Sequence, residues 1–189
     1  MSRQDSPRVQ PLEPPYDPAV AAGLQKWMPR NAQVEPLRLF RTLLQNRALS
    51  DAMHPLGEYV LGRHLQLTLR EREIIIDRTC ARTSCEYEWG VHVVAFGGAA
   101  AMSDQQLLAT TSGELAGLEW TESDKLLIRI VDELHDTSTI SDALWEQVSG
   151  KWQPQQVLEM LVIVGWYHAI SYVANAARIQ PETWARRFP

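Results

Sequence analysis

The sequence predicts an all-α protein, folded as a single-domain helical bundle of about eight helices. Three observations predict this class. Apolar residues recur at intervals of three and four along several segments, which is the spacing of one helix face. Residues that start helices, such as Ser, Thr and Asp, precede most of these segments. No segment alternates apolar and polar residues or offers the turn residues of a β-hairpin.

The chain is long enough to bury one sizeable core. It has 189 residues, of which 45% are hydrophobic and 22% are charged, as in an ordinary globular domain. Residues 18–189 are therefore assigned to one helical domain. Residues 1–17 precede it as a proline-rich arm, because seven of the 11 prolines fall in the first 36 residues. This arm is expected either to wrap a neighbouring subunit or to fray.

The first half of the domain contains four predicted helices. Asp17 is a typical N-cap, and Pro18 suits the first helical position. Pro36 opens the second helix, and the third follows Pro55. The fourth contains three consecutive isoleucines that resemble a strand, but its charged flanks lack alternation and favour a helix. These helices cover 18–28, 36–46, 56–65 and 69–82.

The second half contains the remaining predicted helices. Thr83 and Ser84, followed by Glu86, resemble a capping box that starts a helix ending at Gly97 and Gly98. Each later helix also begins at a residue that favours a helix start, namely Ser103, Thr121, Ser141 and Pro154. These helices cover 84–96, a short segment from 103, 124–135, 142–152 and 154–178.

The charge pattern argues against two classes of partner. Eighteen basic and 23 acidic residues give a net charge of −5, without a basic run that would bind nucleic acid or an anionic membrane. The longest apolar stretch, 157–170, contains Glu159 and His168 and is too short to span a bilayer. No apolar secretory segment begins the chain. We therefore expect a cytoplasmic protein with reduced thiols and no membrane or nucleic-acid partner.

One segment carries chemically active side chains at helical spacing. Cys85, Glu88 and His92 stand at i, i+3 and i+7, so they share one narrow stripe of a helix. Cys85 lies in the first turn, where the helix dipole is expected to lower the thiol pKa. His92 can accept or return a proton, and Glu73 is expected to orient that imidazole if the two helices pack antiparallel. The sequence thus predicts a catalytic cluster of Glu73, Cys85, Glu88 and His92.

Other interpretations of these side chains stay open. A buried Cys is often a small apolar filler, and His and Glu on helices commonly have no function. Cys, Glu and His are also zinc ligands, but their spacing matches none of the common zinc motifs, so no metal or other cofactor is expected. His168 faces either the core or the site, whereas His54, His64 and His135 have no partner pattern.

At these residues the sequence resembles the carboxymuconolactone decarboxylase family, whose other branch is the alkylhydroperoxidase-D-like proteins. The peroxidase branch has a Glu, then eleven residues, then C-x-x-C-x-x-x-H at the start of a helix. Glu73, Cys85 and His92 match this pattern, whereas Glu88 stands where the second Cys is expected. The closest resemblance covers 65–112. It implies an all-α, usually homo-oligomeric protein (dimer, trimer or hexamer) with the site near subunit contacts.

The resemblance implies two reactions for this site. Enzymes of the decarboxylase branch carry out acid–base chemistry on a small carboxylated lactone. In such a reaction Glu88 and His92 would transfer the protons. In the peroxidase branch two thiols reduce a hydroperoxide, so Cys85 would act as a single-cysteine centre or with Cys80 as a displaced resolving partner. We expect the first, a cofactor-free acid–base enzyme acting on a small-molecule substrate. The first alternative is a thiol-dependent hydroperoxide reductase centred on Cys85. The second alternative is a non-catalytic helical oligomer that binds a small ligand.

Overall fold

The computed structural model describes residues 6–29, 34–117 and 119–189. Within these ranges the protein contains nine α-helices, one 3₁₀ turn and no strand, which confirms the all-α class. The helices are α1 Pro18–Trp27, α2 Arg38–Leu43, α3 Arg47–Leu61, α4 Leu69–Arg82, α5 Glu86–Ala95, α6 Asp104–Ser112, α7 Glu122–Thr137, α8 Asp142–Ser149 and α9 Pro154–Ala177, and the 3₁₀ turn is Leu44–Asn46.

Most helices begin at the residues that the sequence predicts. The Asp17 carboxylate accepts hydrogen bonds from the backbone of the first turn of α1. Ser103 and Thr121 form reciprocal capping boxes at the starts of α6 and α7. The third helix differs from the prediction, because α3 begins before Pro55 and runs through it. Pro55 lies on an exposed part of the helix, so water can bond the carbonyl that its missing N–H leaves free.

Helix α4 lies at the centre of the bundle. It packs against α5, α6, α7 and α9. Ile74, Ile75 and Ile76 are all completely buried, because neighbours enclose this helix on every side. That enclosure explains the apolar run that resembles a strand in the sequence. It also means that polar side chains on α4 lie inside the protein.

Helix α9 extends beyond the apolar stretch 157–170 at both ends. It has 24 residues and, by length and composition, is the one helix among the described residues that would be able to cross a membrane. Half of its most apolar window is nevertheless buried inside the protein, as in the core helix of a soluble fold. The Glu159 carboxylate also accepts hydrogen bonds from the backbone N–H groups of Gln66 and Leu67, in the loop before α4.

The described part of the N-terminal arm, residues 6–17, lies on its own chain. The backbone N–H of Arg8 donates to the carbonyl of Ala177 at 2.8 Å, and that of Leu12 donates to the carbonyl of Arg41 at 3.2 Å. The arm's Glu13 also pairs with the Arg41 guanidinium at 2.7 Å. The arm thus covers the start of the bundle and the end of α9, and residues 1–5 of the predicted arm lie outside the described residues.

The C-terminal segment, residues 178–189, returns across α5. The backbone N–H of Arg186 donates to the carbonyl of Gly90 at 3.3 Å, and the Phe188 ring lies 5.2 Å from the Trp89 ring. A Cβ atom at Gly90 would lie 2.1 Å from the carbonyl oxygen of Arg186. Glycine at this position therefore allows the segment to lie directly against the helix that carries the candidate site.

Candidate active site

The start of α5 differs from the predicted capping box. Cys85 is the N-cap residue, and no side chain caps the helix. The Thr83 hydroxyl instead donates back to carbonyls of α4. Ser84, two residues after the end of α4, lies in the left-handed region at φ 54° and turns the chain into α5. The Glu86 carboxylate accepts a hydrogen bond from the backbone of Phe188 in the C-terminal segment.

Glu73 and His92 lie in hydrogen-bond contact between α4 and α5. The His92 Nδ1 atom is 2.8 Å from Glu73 Oε2, and both side chains are buried. The other oxygen of Glu73 accepts from Arg72 Nε at 2.6 Å, so the buried carboxylate has a cationic partner. The Arg72 guanidinium also lies over the Phe96 ring. The expected contact between this carboxylate and this imidazole is present in the structure.

Tyr167 completes the hydrogen bonding of His92. Its hydroxyl oxygen lies 2.9 Å from His92 Nε2. A neutral His92 that donates from Nδ1 to Glu73 has a lone pair at Nε2, which accepts the tyrosine hydroxyl proton. Burial raises the pKa of Tyr167 well above its ordinary value, and the nearby Glu88 carboxylate raises it further. The tyrosine therefore stays protonated and fixes the imidazole from its second nitrogen.

Glu88 is the least satisfied member of the cluster. Its Oε2 atom is 3.8 Å from His92 Nε2, which is longer than a hydrogen bond. Its Oε1 atom is buried and has no hydrogen-bond partner among the described residues. Burial raises the pKa of Glu88, His92 lowers it, and Glu182 of the C-terminal segment raises it again. The carboxyl group thus has an oxygen free for another molecule and a higher proton affinity than an exposed Glu.

Cys85 has a thiol pKa opposite in direction to the sequence prediction. Burial is the main cause that raises the pKa of this thiol to about 12, and the Glu88 carboxylate raises it further. Hydrogen bonds from the backbone N–H groups of Glu88 and Tyr87 and from the Ser171 hydroxyl lower the pKa, but by less. The expectation of a lowered thiol pKa is therefore wrong. The start of α5 supplies hydrogen-bond donors that lower the thiol pKa, but burial of the thiol raises the pKa by more.

Asp77 is a second buried carboxyl group near the cluster. It lies one turn after Glu73 on α4 and is completely buried. Neither carboxyl oxygen has a hydrogen-bond partner among the described residues. Burial raises the pKa of Asp77 well above its ordinary value, and the charge of Glu73 raises it further. A buried carboxyl without a hydrogen-bond partner calls for an explanation. No motif in the sequence marks Asp77 as a site residue.

The structure separates the histidines that the sequence left unassigned. His168 turns away from the site, and its Nε2 atom lies 3.0 Å from Nδ1 of His135 on α7. Tyr167, its neighbour in the chain, reaches the site instead. Tyr167 and His168 are adjacent polar residues within an apolar segment. Their position in the sequence indicates that one of the two faces the interior, but it does not indicate which. Within the described part of the chain, no group of three His, Cys, Asp or Glu side chains is arranged to hold a metal ion.

A shallow pocket opens beside the start of α5. Its volume is about 280 Å³, and it is lined by the residues on either side of Cys85, namely Ser84 and Glu86. Two arginines, Arg178 and Arg187, also line it, and Arg187 pairs with the Glu86 carboxylate. The pocket lies next to the candidate site and is slightly smaller than typical ligand pockets, which have volumes of roughly 300–1,000 Å³.

Comparisons with known proteins bear on the fold. No protein-family model matches the sequence, and a search of curated proteins finds no match. Among solved structures, the chain is similar to an uncharacterized peroxidase-related protein from Silicibacter sp. TM1040, with a TM-score of 0.75 and 17% identity over 93% of each chain. The two proteins share one fold, which is all-helical over the residues that the structure describes here.

Proposed function

We propose that this protein is a cofactor-free enzyme that moves protons on a small carboxylic acid or lactone, as the carboxymuconolactone decarboxylase family does. The observation that carries the proposal is the arrangement around His92. Its two ring nitrogens are held by Glu73 and Tyr167, while Glu88 lies one helical turn away with an unpartnered oxygen. A fixed imidazole beside a carboxyl of raised pKa suits general acid–base catalysis.

Each residue of the cluster has a distinct role in this proposal. Glu88 exchanges the proton with the substrate carbon or oxygen, and the neighbouring His92 stabilises the charge that develops on Glu88. Glu73 is a positioning residue that fixes the imidazole tautomer. Cys85 contributes a neutral thiol to the lining of the site, since its pKa of about 12 keeps it protonated at physiological pH. Arg187, which lines the adjacent pocket and is largely exposed beside Glu86, is the candidate partner for a substrate carboxylate.

Proton abstraction is testable before the natural substrate is known. A panel of small carboxylated lactones is incubated with the protein in D₂O, and NMR measures deuterium uptake at carbon and release of CO₂. We expect Glu88→Gln and His92→Ala to lower exchange by about 10²- to 10⁴-fold. Glu146→Gln and His64→Ala, at exposed positions, serve as matched controls and keep wild-type exchange. Unchanged turnover in both site variants rejects the proposal.

A thiol-dependent hydroperoxide reductase is the second candidate. The structural neighbour is named a peroxidase-related protein, which favours a hydroperoxide reductase. The raised pKa of Cys85 opposes it, because the thiolate is the reactive form. The two free thiols fit the reducing cytoplasm under either function.

A folded protein that binds lactone acids without exchange, and whose site variants change only stability, would instead be a non-catalytic ligand-binding protein.

We also propose that the protein is a homo-oligomer that pairs through α9. The exposed side of this helix presents Leu158, Val162, Gly165, Ala169 and Tyr172, at alternating spacings of four and three. Leu158 and Tyr172 are 63% and 66% exposed, and this spacing is typical of a seam between two helices. Sedimentation velocity measures the subunit number, and Leu158→Glu is expected to yield monomers. A monomeric wild-type protein at micromolar concentration contradicts the proposal.

A further inference from the structure

His135 and His168 form a contact between α7 and α9, on the side of α9 that turns away from the candidate active site. The Nδ1 atom of His135 lies 3.0 Å from Nε2 of His168, and the two ring centres are 5.2 Å apart. Both helices pack against α4, which brings together two imidazoles that are 33 residues apart in the chain. Neither imidazole has a role in the acid–base function, so the pair calls for a separate account.

The tautomer of His168 is fixed by its own helix. Its Nδ1 atom lies 2.8 Å from the carbonyl oxygen of Val164, one turn earlier on α9. A carbonyl oxygen only accepts, so Nδ1 carries a proton and donates it. The Nε2 atom of the neutral ring therefore presents a lone pair towards His135. A ring N–H that donates to a backbone carbonyl is the usual arrangement of a histidine that binds a metal through its other nitrogen.

The distance between the two facing nitrogens matches that of two ligands on one metal ion. Imidazole nitrogens bind Zn²⁺ at about 2.0–2.1 Å, so two of them that subtend about 90–110° at the ion lie about 2.8–3.4 Å apart. The 3.0 Å separation of the two nitrogens falls inside this interval. Without an ion, the Nδ1–H of His135 donates to Nε2 of His168. With an ion, His135 carries its proton on Nε2 instead, and both facing nitrogens offer lone pairs.

The surroundings of the pair allow an ion to reach neutral imidazoles. Both histidines are partly exposed. Burial lowers the pKa of His135, and the Arg82 guanidinium and His168 lower it further, which favours the neutral form that binds metals. Asp136 and Asp132 act in the opposite direction, and both carboxylates pair with Arg82. These two carboxylates offset the repulsion between the arginine and an incoming cation.

We propose that His135 and His168 form a metal site that binds a divalent first-row transition-metal ion such as Zn²⁺ through Nδ1 of His135 and Nε2 of His168. Imidazole suits Zn²⁺, Ni²⁺ and Cu²⁺, whereas Mg²⁺ and Ca²⁺ prefer oxygen ligands. Within the described ranges no third His, Cys, Asp or Glu is arranged to complete the site, so water fills the remaining positions. The ion links α7 to α9 in the folded protein only, and its binding therefore stabilises the fold.

Zinc binding is measured on the full-length, untagged protein after treatment with a chelator. Calorimetric titration with ZnCl₂ is expected to show one site per chain. His135→Ala and His168→Ala are each expected to weaken binding by about tenfold or more, since loss of even an outer-shell partner costs about 10- to 100-fold. His54→Ala and His64→Ala are the matched controls and keep wild-type affinity. MgCl₂ is expected to give no binding, which separates imidazole ligation from attraction to the nearby carboxylates.

NMR of the imidazole nitrogens identifies the atoms that bind the ion. Two-bond ¹H–¹⁵N spectra are expected to show that ZnCl₂ moves the His135 proton from Nδ1 to Nε2 and leaves the Nδ1 proton of His168 in place. The melting temperature is expected to rise with ZnCl₂ concentration in the wild type and to stay constant in the double variant His135→Ala/His168→Ala.

Two results overturn the proposal. One is a wild-type protein that binds no Zn²⁺, and the other is Zn²⁺ binding that the double variant retains. All three measurements follow the ion, the ring nitrogens or unfolding and use no lactone. Failure of the metal site is therefore distinct from failure of the acid–base function, which is measured by exchange at the separate cluster around His92.

Discussion

The Nδ1 atom of His92 lies 2.8 Å from Oε2 of Glu73, and this contact joins α5 to the central helix α4. It places the His92 imidazole between a carboxylate and the Tyr167 hydroxyl. The same carboxylate pairs with Arg72 through its other oxygen. One buried side chain therefore both positions the candidate catalytic group and neutralises a buried cation.

Glu73→Gln is expected to destabilise the protein by about 3–5 kcal/mol, because it leaves the Arg72 guanidinium buried without a counter-ion. The double variant Arg72→Gln/Glu73→Gln removes both charges, so it is expected to be more stable than the single variant. Urea unfolding of the wild type and the variants, including Arg72→Gln alone, completes the cycle. Losses that simply add in the double variant would contradict a coupled buried pair.

The thiol of Cys85 makes stability depend on alkaline pH. Its pKa is about 12 in the folded protein, raised chiefly by burial, against 9.0 for an ordinary thiol. The folded state thus favours the neutral thiol. Its contribution to stability is complete below pH 9 and is lost as pH rises towards 12, at up to about 1.4 kcal/mol per pH unit. Urea unfolding at pH 7.5, 9 and 10.5 measures this slope.

Cys85→Ser is the variant that isolates this effect. Serine does not ionise in this range, so the stability of the variant is expected to fall less steeply above pH 9 than that of the wild type. Alkylation of Cys85 in the folded wild-type protein is expected to rise with pH without a plateau below pH 11, with Cys80→Ser as background. A plateau near pH 7 would mean a reactive thiolate and would favour the hydroperoxide reductase.

The sequence predicted the contacts that helix spacing determines and missed those that depend on packing. Glu88 and His92 are one turn apart on one helix, and antiparallel packing of the preceding helix was expected to bring Glu73 to His92, so their proximity was predictable. Tyr167 lies 75 residues further along the chain from His92. Which of the two polar residues, 167 or 168, turns towards the site depends on how α9 packs, and spacing alone does not give that rotation.

The direction of the Cys85 pKa could not be predicted for a related physical reason. Position in the first turn of a helix lowers a thiol pKa, whereas burial raises it. The first effect is visible in the sequence, but the second depends on what covers the helix start. The Ser171 hydroxyl is one of the groups that reach this thiol, and it belongs to α9, far away in the chain. Burial outweighs the helix position.

Asp77 is expected to reduce stability at neutral pH. Burial, and then the charge of Glu73, raise its pKa. The folded state therefore favours the protonated form. The protonated Asp77 makes its full contribution to stability below the pKa that this residue has in the unfolded chain, near 3.8. This contribution is lost as the pH rises through the higher pKa that Asp77 has in the folded protein. Asparagine cannot ionise, so the stability of Asp77→Asn relative to the wild type is expected to increase between pH 5 and pH 8.

Urea unfolding at these two pH values tests this expectation. The constant cost of a buried amide cancels when the two pH values are compared, so only the ionisation contributes to the difference. Asp142→Asn, at an exposed position on α8, is the matched control. An equal stability difference between Asp77→Asn and wild type at both pH values would show that Asp77 has the same protonation in the folded and unfolded states.

Gly90 and Gly165 form a matched pair for testing the C-terminal segment. Both glycines lie within helices, where alanine is normally favoured by about 0.5–1 kcal/mol. A Cβ atom at Gly90 would lie 2.1 Å from the Arg186 carbonyl oxygen, whereas a Cβ atom at Gly165 would have no atom within 4 Å. Gly165→Ala is therefore expected to stabilise the protein, and Gly90→Ala to displace residues 178–189 from α5. Gly90→Ala thus tests whether the C-terminal segment covers the candidate site.

Displacement of this segment would change the site itself. Glu182 in the segment accepts a hydrogen bond from the Tyr87 hydroxyl at 2.7 Å and is one of the charges that raise the pKa of Glu88. We expect Gly90→Ala to speed hydrogen exchange of the C-terminal segment and of the first turn of α5, and to speed alkylation of Cys85. Hydrogen exchange with mass spectrometry and timed alkylation measure both effects. If Gly90→Ala matched Gly165→Ala in both, the segment would not be what shields the thiol, and its burial would depend on α4 and α9 alone.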